Sequence, residues 1–340
     1  MDQSPWLLLD ISEDYAVRMD SPSISASLRT FPARLTSVRR SSSPHIPLSR
    51  QLISDEARLC SFRAKTVSLT ATNPIRFNWK IHASMARMET DDGKGKLQVF
   101  ESEEEISVSL AKYTADLSEK FVRKSGAFTV VLSGGSLIDW LRKLVEPPYV
   151  DSVDWAKWHV FWVDERVVPK NHPDSNYKLA YDGFLSKVPI PPGHVYAIND
   201  ALSAERAADD YERCLKKLVK NKVLNLSASG FPKFDLMLLG MGPDGHVASL
   251  FPGHPLVKEN KRWVTFIKNS PKPPPKRITF TFPVINSSSN IALVVAGASN
   301  AGALHKALGK GQSSDLLPVQ LVSPEGETTW FLDKEAASKL

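Results

Sequence analysis

Residues 234–255 read FDLMLLGMGPDGHVASLFPGHP, an apolar run that ends in a turn rich in glycine. The run 234–239 is short, apolar and bounded by turn residues, which predicts a buried strand. Glycines in the turn let the backbone bend sharply and approach a ligand closely. We expect a strand-to-helix loop that presents Asp244 and His246 to a substrate. The imidazole of His246 could accept a proton from water there, because its pKa lies near neutrality.

The glycines of this turn also spell G-x-G-x-x-G, which is the fingerprint of dinucleotide-binding sites. Glu259 lies close to the position of the ribose-binding acid in such sites. However, Asp244 would place a carboxylate against the pyrophosphate, and residues 251–263 do not resemble a second strand that ends in an acid. We therefore expect no nicotinamide or flavin. For this loop alone, a structural turn with a hydrogen-bonded histidine remains the alternative.

A second polar loop follows the apolar run 127–132 (AFTVVL), which is another candidate for a buried strand. It consists of Ser133, Gly134, Gly135 and Ser136 and precedes the helical stretch LIDWLRKL. Backbone N–H groups, hydroxyls and a helix N-terminus together favour a bound anion, so the loop has the outline of a phosphate cradle. No Gly-Lys-Ser/Thr follows, which argues against a nucleoside triphosphate. A tight turn with a serine cap is the alternative.

A third polar loop follows the apolar run 158–163 (WHVFWV) and reads DERVVPKNHPDSNYKLA. Asp164 and Arg166 stand at the predicted end of the strand, and Ser175 and Asn176 lie further along. Ligands of open α/β sheets bind outside the carboxyl ends of the strands, so three such loops predict one shared pocket. An ion pair within a solvated loop is the alternative here.

These loops, together with SPKPPPKRITFTFP at 270–283 and LLPVQLVSPEGETTWFLDKEAA at 316–337, resemble the 6-phosphogluconolactonase family, and its plant members especially. The resemblance runs from about residue 97 to the end of the chain. It implies a single α/β domain with a modified Rossmann-like, mostly parallel sheet flanked by helices, of the NagB/RpiA-like type. It also implies a carboxylic ester hydrolase that converts 6-phospho-D-glucono-1,5-lactone to 6-phospho-D-gluconate in the oxidative pentose phosphate pathway. No metal and no organic cofactor is implied.

Hydrolysis of a lactone needs a positioned water, a base and positive charge where the oxyanion develops. The family motif implies that His246 is the base, and Asp244 would orient its ring. Arg166 would hold the phosphate or the oxyanion, and Arg277 is a second candidate for the phosphate. The expected catalytic residues are His246, Asp244, Arg166 and Asp164. The expected substrate-binding residues are Ser133, Gly134, Gly135, Ser136, Ser175, Asn176, Gly242, Arg277 and Asn300.

One departure from the family pattern concerns the block GASNAGALHKAL, in which Asn300 replaces the lysine of a Gly-x-x-Lys-Ala-like motif. An amide forms hydrogen bonds without adding charge, so we expect weaker binding of the phosphate. The related deaminases carry a glutamate shortly after their Gly-His, where this chain has Ser249, Leu250 and Phe251. No G-x-S-x-G and no metal-binding spacing is present. An inactive sugar-phosphate binding module of the same fold remains the second hypothesis.

The first 92 residues differ in composition from the rest, since they lack glycine although the chain has 17. Residues 21–87 carry 11 Lys or Arg against two acids, whereas residues 88–340 carry 31 basic and 30 acidic residues. An Arg- and Ser-rich, acid-poor segment is typical of an organelle transit peptide, and the resemblance to plant proteins favours the plastid. We therefore expect a disordered leader over 1–92 and the 6-phosphogluconolactonase domain over 93–340.

The balanced charge of residues 88–340 leaves no basic patch for nucleic acid. No run reaches the ~18 apolar residues of a membrane span. The expected partner is a small phosphosugar lactone, and the expected state is a monomer or a weak oligomer. The chain ends in Ser338, Lys339 and Leu340, a tripeptide that serves as a peroxisomal address, so we expect the peroxisome as a second destination and consider the cytosol as well.

The remaining pattern alternates helices with strands. It predicts helices over 103–124, from Ser175 and over 203–221, with further strands near 263, 278 and 291 that complete the sheet. Such alternation indicates parallel βαβ units.

Overall fold

The computed structural model describes residues 90–91, 95–309 and 316–340. The predicted transit peptide lies outside these residues. The strands are β1 Thr90–Asp91, β2 Lys96–Phe100, β3 Phe128–Leu132, β4 Trp158–Trp162, β5 Asp164–Arg166, β6 Asn225–Leu226, β7 Pro232–Lys233, β8 Leu236–Gly240, β9 Val264–Ile267, β10 Arg277–Phe280, β11 Asn290–Val295 and β12 Glu327–Asp333. The helices are α1 Glu103–Ser125, α2 Leu137–Trp140, α3 Tyr149–Ser152, α4 Asn176–Gly183, α5 Ala204–Lys220, α6 Phe282–Asn286 and α7 Ala301–Leu308.

The main sheet has seven strands in the order β1-β2-β12-β11-β8-β3-β4. All pairs are parallel except β1 with β2 at the edge. Every residue of β3, β4 and β11 is buried, because helices cover both faces of the sheet. Strands buried on both faces read as continuous apolar runs, which explains why the sequence revealed them. The prediction of a mostly parallel, helix-flanked α/β sheet is confirmed.

The helices begin and end where local signals place them. Ser102 caps α1 by accepting a hydrogen bond from the N–H of Glu105, and Gly126 ends that helix with a φ of 79°. Ser175 caps α4 in the same way, by accepting from the N–H of Lys178. Serine at the N-cap and a left-handed glycine after the last turn are the favoured residues at these positions.

The predicted strands near 263 and 278 exist, but they do not belong to the main sheet. β9 and β10 form a separate antiparallel sheet with β5, in the order β5-β10-β9. β5 begins after a single residue, Val163, beyond the end of β4, and the N–H of Phe280 donates to the carbonyl of Val163. The chain therefore turns out of the main sheet at this point. The expectation that these strands complete one parallel sheet was wrong.

No α-helix begins between His246 and residue 281, so the expectation of a strand-to-helix loop was also wrong. Residues 247 and 250 form an isolated bridge, with Ala248 at a φ of 52° between them. A positive φ at a residue other than glycine interrupts helical geometry. The first helical turn comes at Pro255–Lys258, as a short 3-10 segment.

Two further expectations concern the start of the domain and the absence of a membrane span. β1 lies before residue 93, so the sheet extends two residues into the segment predicted as leader. Among the described residues, no helix has both the length and the apolar character needed to cross a membrane.

Candidate active site

A cavity of about 290 Å³ lies at the carboxyl ends of the central strands. Its wall includes residues that follow β3, β4, β8 and β11, which are neighbours in the sheet. The chain runs from β3 outward to β4 and then returns to β8 on the other side of β3. Loops that follow two strands at such a reversal diverge and leave a crevice, which is where open α/β sheets bind ligands.

His246 lines this cavity and is paired with a carboxylate behind it. Its Nδ1 lies 2.6 Å from Oδ1 of Asp244. The ring stacks on Phe251, with centroids 4.7 Å apart, and its side chain is 17% exposed. Because Asp244 occupies Nδ1, Nε2 is the nitrogen that can act on a substrate.

The electrostatics of the pair favour a neutral imidazole next to a carboxylate. Burial lowers the pKa of His246, and the carboxylates of Asp244 and Asp164 oppose this effect without cancelling it. Burial acts to raise the pKa of Asp244, but the hydrogen bonds and charges of His246 and Lys272 outweigh it and lower that pKa. A neutral imidazole held by a charged carboxylate is the state in which histidine accepts a proton.

Two glycines permit the fold of the loop that carries this pair. A Cβ at Gly242 would overlap the ring of His246, so no side chain fits at this position. Gly245 has a φ of 79°, and its carbonyl accepts a hydrogen bond from the N–H of Val319. The segment around residue 319 thus supports the loop from outside.

The loop Ser133–Ser136 lines the same cavity as His246. Within the described residues, no hydrogen bond occupies the N–H groups of Gly134, Gly135 and Ser136. A Cβ at Gly134 would overlap Oδ1 of Asn176, which also lines the cavity. Three backbone donors without a partner among the described residues, next to a serine hydroxyl, are the kind of donor set that binds anions in other proteins. The helix that follows is only four residues long.

Asp164 lines the cavity, whereas its neighbour Glu165 is directed into the protein. The carboxylate of Asp164 accepts a hydrogen bond of 2.7 Å from Oγ of Ser249. Glu165 accepts hydrogen bonds from the N–H groups of Arg166, Asn176 and Tyr177, so it holds the first turn of α4. Burial raises the pKa of Glu165 to about 7, although these three hydrogen bonds oppose the rise.

Ser175 does not line the cavity, contrary to its predicted role in substrate binding. Its side chain is buried, donates to Glu165 at 3.3 Å and caps α4. A hydroxyl used in this way is not free for a ligand.

The two arginines of the predicted site lie opposite each other, because Arg277 of β10 pairs with Arg166 of β5. Arg277 is only 3% exposed and its donors are largely occupied. Its Nε donates to the carbonyl of Pro274, its Nη2 donates to the carbonyls of Lys272 and Pro273, and its Nη1 donates to Oγ of Ser249. Of five donors, one is left for a substrate.

Arg166 has more donors to offer. Its Nη1 donates to the carbonyl of Asp174 at 2.9 Å, and this is the only hydrogen bond of its guanidinium within the described residues. Its Nε is buried and has no partner there. A planar cation with free donors at the cavity wall suits a phosphate or a carboxyl oxygen.

Asn300 lines the cavity at the start of α7. Its Nδ2 donates to the carbonyl of Ala296 at 2.7 Å, and its Oδ1 is buried with no partner among the described residues. The side chain therefore lies at the cavity wall and carries no positive charge.

The cavity brings together most of the predicted residues. Its lining includes Ser133, Gly134, Gly135, Ser136, Asp164, Arg166, Asn176, Gly242, His246, Arg277 and Asn300. The sequence analysis missed Glu103 and Trp140, which also line the cavity and bond to each other through Nε1 of the indole at 3.1 Å. It also missed Lys272, whose only signal was its place in the proline-rich segment. The described residues contain no group of three side chains able to hold a metal ion.

Comparisons with known proteins show the family of this chain. The model of the family described as glucosamine-6-phosphate isomerases/6-phosphogluconolactonase matches residues 101–330. The chain is 74% identical over 245 residues to a probable 6-phosphogluconolactonase 4, chloroplastic, of Oryza sativa subsp. indica, covering 71% of this chain and 76% of the rice protein. It is 58% identical over 307 residues to 6-phosphogluconolactonase 3, chloroplastic, of Arabidopsis thaliana, covering 88% and 94%. The crystal structure of 6-phosphogluconolactonase from Thermotoga maritima matches with a TM-score of 0.59 and 29% identity, covering 70% of this chain and 99% of that one.

Proposed function

This chain belongs to the family of glucosamine-6-phosphate isomerases and 6-phosphogluconolactonases, and on that premise we propose that it is a 6-phosphogluconolactonase. Its reaction is the hydrolysis of 6-phospho-D-glucono-1,5-lactone to 6-phospho-D-gluconate in the oxidative pentose phosphate pathway. One observation carries the proposal: a histidine paired with aspartate shares a single cavity with a loop of unused backbone donors.

In the proposed reaction, Nε2 of His246 takes a proton from a bound water while the oxygen of that water attacks the carbonyl carbon of the lactone. The carbonyl π electrons move onto oxygen and form a tetrahedral oxyanion. When the oxyanion collapses, the bond from carbon to the ring oxygen breaks, and the imidazolium returns its proton to that oxygen. The negative charges of Asp244 and Asp164 favour the imidazolium between these two steps.

The phosphate of the substrate has a candidate site in the cavity. We assign the phosphate to the backbone donors of Gly134, Gly135 and Ser136 together with Arg166. Asn176 lies against this loop and offers an amide for a sugar hydroxyl. Arg277 contributes at most one donor, since the rest hold neighbouring carbonyls and Ser249. In this proposal its main role is to shape the wall of the site.

The test compares two substrates with the full chain. Proton release is followed from freshly prepared 6-phosphogluconolactone and from the unphosphorylated lactone, each above its spontaneous rate. We expect a marked preference for the phosphorylated substrate. Equal rates on both would argue against the phosphate site, and no rate above the spontaneous one on either would argue against an enzyme.

A sugar-phosphate binding module with weakened catalysis is the second candidate, and Asn300 is the observation that favours it. This residue lines the cavity without a charge. We expect Asn300→Lys to lower KM for the phosphorylated lactone and to leave kcat nearly unchanged, because a cation adds affinity for the phosphate alone. An unchanged KM would mean that the missing charge does not limit binding.

We propose the plastid as the main location. The relatives from rice and Arabidopsis are named as chloroplastic. The match to the Arabidopsis protein runs over 307 residues, more than the 248 from 93 to 340 can supply, so it includes part of the proposed leader. The peroxisome stays a proposal that depends on Leu340 being the last residue of the mature protein. A fluorescent tag placed at each end in turn tests the two addresses separately.

We further propose a small phosphosugar lactone as the partner, no nucleic acid, and a monomer or a weak oligomer. Light scattering at several protein concentrations tests the oligomeric state. A stable dimer at low concentration would contradict it.

A further inference from the structure

A proline-rich strap, residues 270–276, closes over Arg277. The guanidinium donates to three consecutive carbonyls of this strap, those of Lys272, Pro273 and Pro274, at 2.9–3.0 Å. The N–H of Ser270 donates to the carbonyl of Pro275 at 3.0 Å and closes the loop on itself. Prolines restrict φ, and the arginine holds the carbonyls between them, so the backbone of Lys272 has little freedom.

The side chain of Lys272 extends from this strap to the histidine–aspartate pair. Its Nζ lies 3.1 Å from Oδ1 of Asp244, the same oxygen that bonds to the imidazole. Its Nζ is also 3.4 Å from Nδ1 of His246. Lys272 is not among the residues that line the cavity. It therefore contacts the pair at Oδ1 of Asp244 and Nδ1 of the ring, and not at Nε2.

We infer that Lys272 is a positioning residue for the base: its ammonium fixes Asp244 against the imidazole and its charge disfavours the imidazolium before substrate binds. The inference rests on the proposed function, in which His246 acts as the base. The strap, held by Arg277, determines where this charge stands.

The charged groups that act on His246 are Asp244, Lys272 and Asp164. Lys272 lowers the pKa of the imidazole, in the same direction as burial, whereas the two carboxylates raise it. Loss of the lysine charge therefore raises the pKa of the base. A base with a higher pKa stays protonated, and hence inactive, up to a higher pH.

The experiment uses Lys272→Met and Lys272→Arg in the full chain, with Lys276→Met as the matched control. Lys276 lies on the same strap, is exposed, and its ammonium makes no ion pair within the described residues. For Lys272→Met we expect the acidic limb of the kcat/KM profile, which reports the pKa of the base in the free enzyme, to move to higher pH, and kcat/KM at neutral pH to fall roughly two- to tenfold. Lys272→Arg should restore most of the rate and return the limb toward its original position.

A change in KM for the phosphorylated lactone, with KM for the unphosphorylated lactone unaffected, would overturn the inference and make Lys272 a ligand of the phosphate. An unmoved acidic limb, or an equal effect of Lys276→Met, would overturn it as well. NMR titration of the His246 ring provides a readout that needs no turnover. A higher midpoint in Lys272→Met supports the inference even if the wild-type protein proves inactive, and an unchanged midpoint refutes it.

Discussion

At the scale of single residues, the site depends on which polar atoms the protein leaves unused. His246 has one nitrogen occupied by Asp244 and one left for chemistry. The loop of Gly134, Gly135 and Ser136 keeps its N–H groups free among the described residues. These groups need little rearrangement when a substrate arrives, and such preorganisation is a major source of catalytic power.

The first prediction concerns the base. His246→Ala should lower kcat roughly 10²- to 10⁴-fold on the phosphorylated lactone, because it removes the group that accepts the proton of water. The rate is measured by proton release, with Lys276→Met as a control for the handling of variants. Turnover close to that of the wild type would assign the base to another residue.

The second prediction separates the two arginines. Arg166→Met should raise KM for the phosphorylated lactone roughly 10- to 100-fold, as expected when a charged hydrogen bond is lost. Arg277→Met should instead lower the free energy of unfolding by about 1–3 kcal/mol, because buried partners lose their donors. Steady-state kinetics and urea unfolding are measured on both variants. Interchanged effects would show that Arg277 is the ligand of the phosphate.

At the scale of elements, the junction between β4 and α4 builds one wall of the site. β5 follows β4 almost directly, and its pairing with β10 brings two arginines to the same edge of the cavity. Glu165 lies within this strand and accepts hydrogen bonds from the first turn of α4. The carboxylate therefore ties the antiparallel sheet to the helix that carries Asn176.

The third prediction follows from Glu165 and concerns pH. Burial raises the pKa of this group from 4.5 to about 7 in the folded protein. The protonated carboxyl therefore stabilises the folded protein fully at a pH below 4.5, the pKa of this group in the unfolded chain. This contribution to the free energy of unfolding, about 3 kcal/mol in total, is lost as the pH rises from there through about 7.

Glu165→Gln mimics the protonated side chain and should remove this dependence. Urea unfolding of both proteins at several pH values from 5 to 8 measures the difference. If the stability of the wild type relative to the variant stays constant over this range, the carboxylate is ionised throughout, and a gain with rising pH would show that the sign is wrong.

At the scale of the whole molecule, the position of the cavity follows from the order of the strands. β3 and β8 are neighbours, yet the chain leaves them in opposite directions along the sheet. Their loops carry the phosphate-binding candidates and the histidine, so the reversal of the strand order brings the two functions into one crevice.

The fourth prediction is that residues 93–340 form an independent domain. A chain that begins at Gly93 should fold and hydrolyse the phosphorylated lactone at a rate close to that of the full protein. The matched control begins at Met88 and keeps β1, whose pairing with β2 adds an edge strand. Thermal unfolding and kcat are compared for the three proteins. Loss of folding in both shorter chains would show that the domain extends further toward the N-terminus.

The sequence alone allowed a large part of this structure to be predicted. The central strands, a helix over 103–124 and the family were all predicted, because apolar runs, helical periodicity and loop motifs are local patterns. Two predictions failed for a common reason. The helix after His246 and the place of β9 and β10 in the main sheet both depend on where the chain turns in space, and local composition does not contain that information.

By itself, the sequence determined which strands are buried and which loops follow them, since a short, continuous apolar run bounded by turn residues is typical of a strand covered on both faces. Only the tertiary structure decided how the polar atoms of those loops are used. Arg166 and Arg277 are 111 residues apart in the chain and look equivalent in sequence, yet within the described residues the guanidinium of Arg166 makes one hydrogen bond whereas that of Arg277 uses four of its five donors. The bond of Arg277 to Ser249 and the contact of Lys272 with Asp244 each join segments 28 residues apart. Hydrogen bonds between distant segments form only when the whole chain has folded, so no local pattern reveals which donors remain for the substrate.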